Sequence, residues 1–193
     1  MKRLLITSND KIGRKLIASL TSSPELHIAI DASSDLKRTL KLLKRGSISI
    51  RTLLKMLLAE LARKNYKIQS LPFIRSNQDL ASYIAEHEIE EIYLFRAGLI
   101  VNRKVLELGK PIFNLHCARL PDYGGIGVID RAIREKAFLQ EATLHRVVTS
   151  IDNGEVIKTK KYSLDPRKPY RENENLAYDV GLALLKDALG PGK

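Results

Sequence analysis

A chain of 193 residues, 44% hydrophobic and 28% charged, has the size and composition of one globular domain spanning residues 1–193, with its own core, and is neither a disordered nor a fibrous sequence. Its apolar runs are too short to span a bilayer, and the opening Met1-Lys2-Arg3-Leu4-Leu5-Ile6 loses its apolar character at Thr7-Ser8-Asn9-Asp10-Lys11, which argues against a secretory leader. A single cysteine, Cys117, excludes an internal disulfide, so a cytoplasmic location is expected, and the net charge of +11 invites an anionic partner.

The pattern predicts a first strand over Lys2–Thr7, a helix over Lys11–Leu20 with Ile12, Leu16, Ile17 and Leu20 on one face, and a second strand over Leu26–Ile30. Two amphipathic helices follow. Leu36, Leu40 and Leu43 mark the first, Leu53, Leu54, Leu57, Leu58 and Leu61 the second, with Gly46-Ser47 as the break. A short strand is expected at Ile68–Leu71, a helix at Asn77–His87 capped by Ser76 or Asn77, and a strand at Ile92–Phe95. A short helix over Arg103–Leu108, a strand over Pro111–Leu115 and a helix over Val128–Lys136 come next. Thr143–Val148 and Glu155–Tyr162 read as a hairpin joined through Ser150-Ile151-Asp152-Asn153-Gly154, and a last helix covers about Asn173–Leu189. Strands alternating with helices predict an α/β fold: a mostly parallel twisted sheet with helices on both faces and an antiparallel edge.

The informative stretch is residues 112 to 127. Asn114 and His116 alternate with Phe113 and Leu115, so a pleated strand sends both polar side chains from one face at its carboxyl end, where ligands bind in open α/β sheets. Asn114 can donate to a developing oxyanion, and His116 titrates near neutral pH. Asp152, in the turn after the neighbouring strand, is the candidate carboxylate. With no serine or cysteine placed for attack, these residues suggest direct transfer of an activated acyl group. Each signal alone also has a structural reading, as a strand end or an ordinary turn.

Together they resemble a known family. Asn114-Leu-His116 followed by Leu120-Pro121-Asp-Tyr-Gly-Gly125, and Thr143-Leu-His145 running on to Asp152-Asn-Gly154-Glu-Val-Ile157, are similar to the motifs of folate-dependent N-formyltransferases. These act on glycinamide ribonucleotide, methionyl-tRNA or nucleotide-linked amino sugars. His116 and Asp152 stand 36 residues apart, similar to the family's separation. The resemblance implies a Rossmann-like formyltransferase fold and 10-formyltetrahydrofolate as cosubstrate, with no metal. It also implies Asn114, His116 and Asp152 as a catalytic trio, with protonated His116 helping Asn114 to hold the oxyanion and Asp152 orienting the histidine. Gly98, Leu99, Ile100, Leu120, Pro121 and Gly125 would contact the donor or shape its pocket.

Several positions depart from the family's pattern. Cys117-Ala118-Arg119 follows the histidine where relatives often carry a hydroxyl, and the first turn lacks a glycine-rich phosphate loop, which argues against glycinamide ribonucleotide. Arg119, Tyr123 and Arg96 are candidates for contact with acceptor or folate, whereas His27, His87 and His145 are read as structural or exposed. The expected acceptor is the amine of a small anionic molecule, such as a nucleotide-linked amino sugar; a homodimer is compatible with the sequence. A formyltetrahydrofolate hydrolase, a glycinamide ribonucleotide or methionyl-tRNA formyltransferase, and a non-catalytic binding module of the same fold are the rivals.

Between Leu36 and Lys64 stand nine basic residues against one acid, Glu60, which supplies +8 of the net charge. The simplest reading is two surface helices with solvated charges. Capture of a phosphorylated acceptor, an anionic membrane surface and RNA are the alternatives, and the absence of aromatics from this segment weighs against RNA stacking.

Overall fold

A computed structural model describes residues 1–20, 23–33, 43, 44, 46 and 48–190. The expected first amphipathic helix, over Leu36–Leu43, lies for the most part outside them. Seven strands form one sheet in the order β3-β2-β1-β4-β5-β6-β7. They are β1 (Arg3–Ser8), β2 (Leu26–Asp31), β3 (Phe73–Ile74), β4 (Glu91–Phe95), β5 (Ile112–His116), β6 (Leu139–Arg146) and β7 (Val156–Ser163). The first five run parallel, and β6 and β7 are antiparallel to their neighbours, as the alternation and the late hairpin predict.

Parallel strands buried on both faces need continuous apolar runs. Leu4-Leu5-Ile6 in β1 and Ile92-Tyr93-Leu94-Phe95 in β4 supply them. One face packs Leu5, Phe95, Phe113 and Leu115 under helices α1 (Lys11–Ala18), α5 (Val128–Arg134) and α6 (Tyr170–Leu189). The other packs Leu4, Ile6, Leu94 and Ile112 under α3 (Asn77–His87) and α4 (Arg103–Leu106). α6 approaches β5 closely because it carries Gly181: a Cβ there would fall 2.8 Å from Leu115 Cδ2.

The chain leaves β1 toward β2 and β3 on one side and returns through β4 and β5 on the other. Strand order therefore reverses between β1 and β4, and the crevice beyond their carboxyl ends is the place where such sheets bind ligands.

Helix α2 (Ile50–Ala62) is capped by Ser49, whose Oγ accepts the Thr52 N–H at 3.0 Å. It is fastened to the body through polar groups. Thr52 Oγ1 donates to Asp130 at 2.8 Å, Lys55 ion-pairs with Asp130, Glu60 accepts the Lys11 N–H at 2.8 Å, and Arg63 meets Glu174 and Asn175.

One element differs from expectation. The strand at Ile68–Leu71 does not form; the ladder with β2 is only two residues long, at Phe73 and Ile74. The Ile30 N–H bonds the Pro72 carbonyl at 2.8 Å, so pairing begins at the proline, and the apolar residues before it find no strand partner.

Candidate active site

Asn114 and His116 leave the same face of β5, as the period of two requires. Antiparallel pairing puts Asn114 opposite His145 and His116 opposite Thr143. Asn114 Nδ2 lies 3.1 Å from His145 Nε2, and His145 Nδ1 lies 3.1 Å from the Arg146 carbonyl. A neutral ring with its proton on Nδ1 satisfies both contacts: Nδ1–H donates to the carbonyl and Nε2 accepts from the Asn114 amide. That leaves the second Asn114 hydrogen for a ligand.

His116 Nε2 donates to the Tyr123 carbonyl at 2.6 Å. Asp152 sits in the turn after β6 with φ at 53°, a left-handed conformation. Its Oδ2 accepts the Gly125 N–H at 2.9 Å, and its Oδ1 lies 3.7 Å from His145 Nε2. Asp152 therefore stands in ion-pair range of His145, while its charge acts on His116 only at longer range. The loops that bring these groups together depend on two glycines. A Cβ on Gly154 would fall 1.8 Å from the Arg146 carbonyl oxygen, and one on Gly124 would fall 3.2 Å from the Asp152 carboxylate.

Both imidazoles titrate below their ordinary value. Desolvation is the largest cause at His116, opposed by the Asp152 charge and the bond to Tyr123; at His145 it is again desolvation, opposed by the Arg146 carbonyl and Asp152. In the unfolded chain each ring takes up a proton near 6.5, before the folded one does. Stability is thus full above that value and declines as the pH falls below it. Urea midpoints measured from about pH 8 to about pH 5 should fall, and His145→Gln should flatten the dependence. A midpoint that rises on acidification contradicts this.

These groups line a cleft of about 450 Å³. Gly98, Leu99, Ile100 and Gly125 line it as expected, and so do Arg96 and Cys117; burial pushes the Cys117 thiol up, so it stays protonated. Leu120 and Pro121 do not reach the cleft. The bond between them is cis, and they carry the chain from β5 to Tyr123, whose carbonyl receives His116. Arg119 also points elsewhere, pairing with Asp122 at 3.0 Å, and Tyr123 turns its hydroxyl to Glu135.

His145, read from sequence as structural or exposed, is instead a buried member of the site. Its signal was the antiparallel register, since the residue opposite Asn114 must share its face. The cleft is also lined by Asp10, Met56, Tyr170, Glu174 and Tyr178, none of which the sequence singled out. Asp10 caps α1 by accepting the Gly13 N–H at 2.8 Å, and it ion-pairs with Arg96, whose guanidinium lies 4.3 Å from the Tyr178 ring centre. Burial alone would raise the Asp10 carboxyl, but the Arg96 guanidinium together with hydrogen bonds from Gly13 and Ser8 outweighs it and the net shift is down. The helix end that could attract a phosphate is already occupied by a carboxylate. Among the described residues, no group of three side chains could hold a metal, and no helix is long and apolar enough to cross a membrane.

The formyl transferase family model matches residues 29–189. A methionyl-tRNA formyltransferase of Protochlamydia amoebophila (strain UWE25) is 25% identical over 146 residues, covering 75% of this chain and 45% of that protein. The chain thus spans less than half the length of that relative. Among solved structures, a phosphoribosylglycinamide formyltransferase from Anaplasma phagocytophilum superposes with a TM-score of 0.67 at 14% identity, covering 97% of this chain and 84% of the other. A sugar N-formyltransferase from Shewanella sp FDAARGOS_354 gives 0.63 at 18% identity, covering 98% and 68%. The structural likenesses concern the fold, a Rossmann-like formyltransferase fold; the family match extends over most of the sequence, including both halves of the site, and the chain belongs to the formyl transferase family.

Proposed function

We propose that the chain transfers a formyl group from 10-formyltetrahydrofolate to the amine of a small acceptor, with Asn114, His116 and Asp152 as the reacting groups and His145 as a positioning residue. The observation that carries this reading is the convergence of Asn114, His116, His145 and Asp152 on a single cleft that Gly98, Leu99 and Ile100 also line.

The residues present fit a reduced folate. Leu94, Leu99, Val101 and Val147 give the cleft an apolar wall, and the segments 98–101 and 147–152 run along it, a setting suited to a flat ring recognised at its edge. When bound, the donor supplies an activated formyl carbon. Asn114 gives one amide hydrogen to His145 and keeps the other for the oxygen that gains charge. Asp152, fixed by the Gly125 N–H, accepts the proton that the attacking amine sheds as it bonds to the formyl carbon. It returns that proton to the folate nitrogen as the bond from that nitrogen to the formyl carbon breaks, so that the donor departs as neutral tetrahydrofolate. His116 is neutral at rest, in contrast to the protonated ring that the family resemblance implies. Negative charge building beside it raises the proton affinity of the ring, so that a proton taken up from solvent water charges it while the oxyanion lasts and is given back as the adduct collapses.

The acceptor best supported is an amino sugar carried on a nucleotide or phosphate. The fold is shared alike by sugar N-formyltransferases and phosphoribosylglycinamide formyltransferases, and what favours the first is Asp10 at the start of α1, which disfavours an acceptor whose phosphate would sit there. Incubating the protein with the formyl donor and a panel of amines, amino-sugar nucleotides included, tests the reading. An amine product heavier by one formyl group is expected, and donor that stays intact with every amine sinks it.

A further inference from the structure

Helix α2 faces the opposite way from an ordinary surface helix. At 100° per residue, Ile50, Leu54, Leu57, Leu58 and Leu61 fall within about 100° of arc, the width of an apolar stripe meant for burial. All five point to solvent and are between 54% and 68% exposed. The opposite side holds Thr52 and Ala59, each 3% exposed, and the contacts that fasten the helix are polar, through Asp130, Glu174, Asn175 and the Lys11 N–H. Five large side chains on one helix therefore contribute nothing to the core of this protein and offer a continuous apolar strip to a partner.

Charge narrows the choice of partner. Arg51, on the flank of the stripe, is exposed, as are Lys44 before the helix and Lys64 and Lys67 after it. The one acid, Glu60, is turned inward and bonded to the Lys11 N–H and Arg63. Across residues 36–64 the balance is nine bases against one acid. A second copy docking through the same face about a two-fold axis would set these like charges against each other. RNA would answer the charge, but it offers nothing to bury leucines, and α2 has no aromatic side chain on which a base could stack. An anionic lipid surface answers both features at once, because leucines enter the acyl boundary while Lys and Arg stay among the headgroups.

We propose that α2 is an interfacial membrane helix that docks this domain on bilayers containing anionic lipid, with its leucine stripe in the plane of the surface. Each Lys or Arg near such a surface adds to the attraction, and the leucines convert a diffuse electrostatic contact into insertion. The docking is reversible, since a single amphipathic helix of this length buries too little for permanent anchoring.

Flotation of the full chain with vesicles tests this. The protein should float with vesicles of phosphatidylcholine containing phosphatidylglycerol, and should not float with phosphatidylcholine alone. The double variant Leu54→Gln/Leu58→Gln should lower partitioning at least about tenfold with an unchanged melting temperature, because both side chains are solvated in the free protein. Arg51→Gln/Lys64→Gln should weaken binding and reduce its sensitivity to salt. Three results overturn the proposal. The wild type fails to float with anionic vesicles; the leucine variant floats as well as the wild type, which leaves plain charge attraction; or sedimentation without vesicles reveals a dimer that the leucine variant splits, which assigns the stripe to a second copy.

Discussion

Replacing Asn114 by alanine should lower kcat for the proposed formyl transfer on the order of 10²–10³-fold while the KM for the donor changes little. The amide is held by His145 at 3.1 Å, so under the proposed mechanism its remaining hydrogen would be fixed before any ligand arrives and would need no reorganisation when charge appears on the formyl oxygen. A donor used only in the transition state shows its loss in kcat, whereas one used equally in the ground state shows it in KM. Steady-state kinetics of the variant, with its melting temperature as a control on folding, separate the two. An unchanged kcat would remove Asn114 from the mechanism.

Arg63→Met should cost about 3–5 kcal/mol and lower the melting temperature by on the order of 10 °C. The side chains of Arg63 and Glu174 are 8% and 3% exposed, and after the substitution the buried Glu174 carboxylate keeps the Tyr170 hydroxyl, at 2.8 Å, and the longer-range attraction of Arg96, but loses its ion pair. Because α2 contributes few apolar contacts to the body, this pair and the Asp130 contacts hold it in place. Adding Glu174→Gln should recover part of the loss, since the unpaired charge is then gone. Thermal melts of the single and double variants decide the matter; an Arg63→Met protein that melts with the wild type would show that α2 is held by something other than its polar contacts.

The parts of this protein that were legible in its sequence are those fixed by short-range pattern. Alternation in Ile112-Phe113-Asn114-Leu115-His116 placed both polar groups on one face, and Ser76 marked the start of α3, where its hydroxyl accepts the Asp79 N–H at 3.1 Å. The turn chemistry of Asp152-Asn153-Gly154 located the reversal between β6 and β7. What stayed hidden depends on partners far along the chain. His145 gains its place from the β5–β6 register, 31 residues from Asn114, and a histidine beside a valine-rich turn carries no local mark of that role. Arg96 joins Asp10 across 86 residues. The leucine period of α2 announced an amphipathic helix correctly, but not which face would pack. That was decided by Asp130 and Glu174, which lie 75 and 111 residues from their partners Lys55 and Arg63. The strand anticipated at Ile68–Leu71 had the right composition and the wrong neighbours, because β2 pairs with β1 along its whole length but offers its other edge to β3 only at its carboxyl end.

Transfer of a formyl group onto an amine by Asn114, His116 and Asp152 is tested by following the carbon of that group. With 10-formyltetrahydrofolate labelled with carbon-13 in the formyl position and an amine that serves as acceptor, the label is expected in an amide resonance at the rate of donor loss, and that transfer should collapse in Asp152→Asn. Label released as formate, at a rate indifferent to the amine, would make the protein a hydrolase; label that never leaves a bound donor would make it a binding module. Either outcome contradicts formyl transfer.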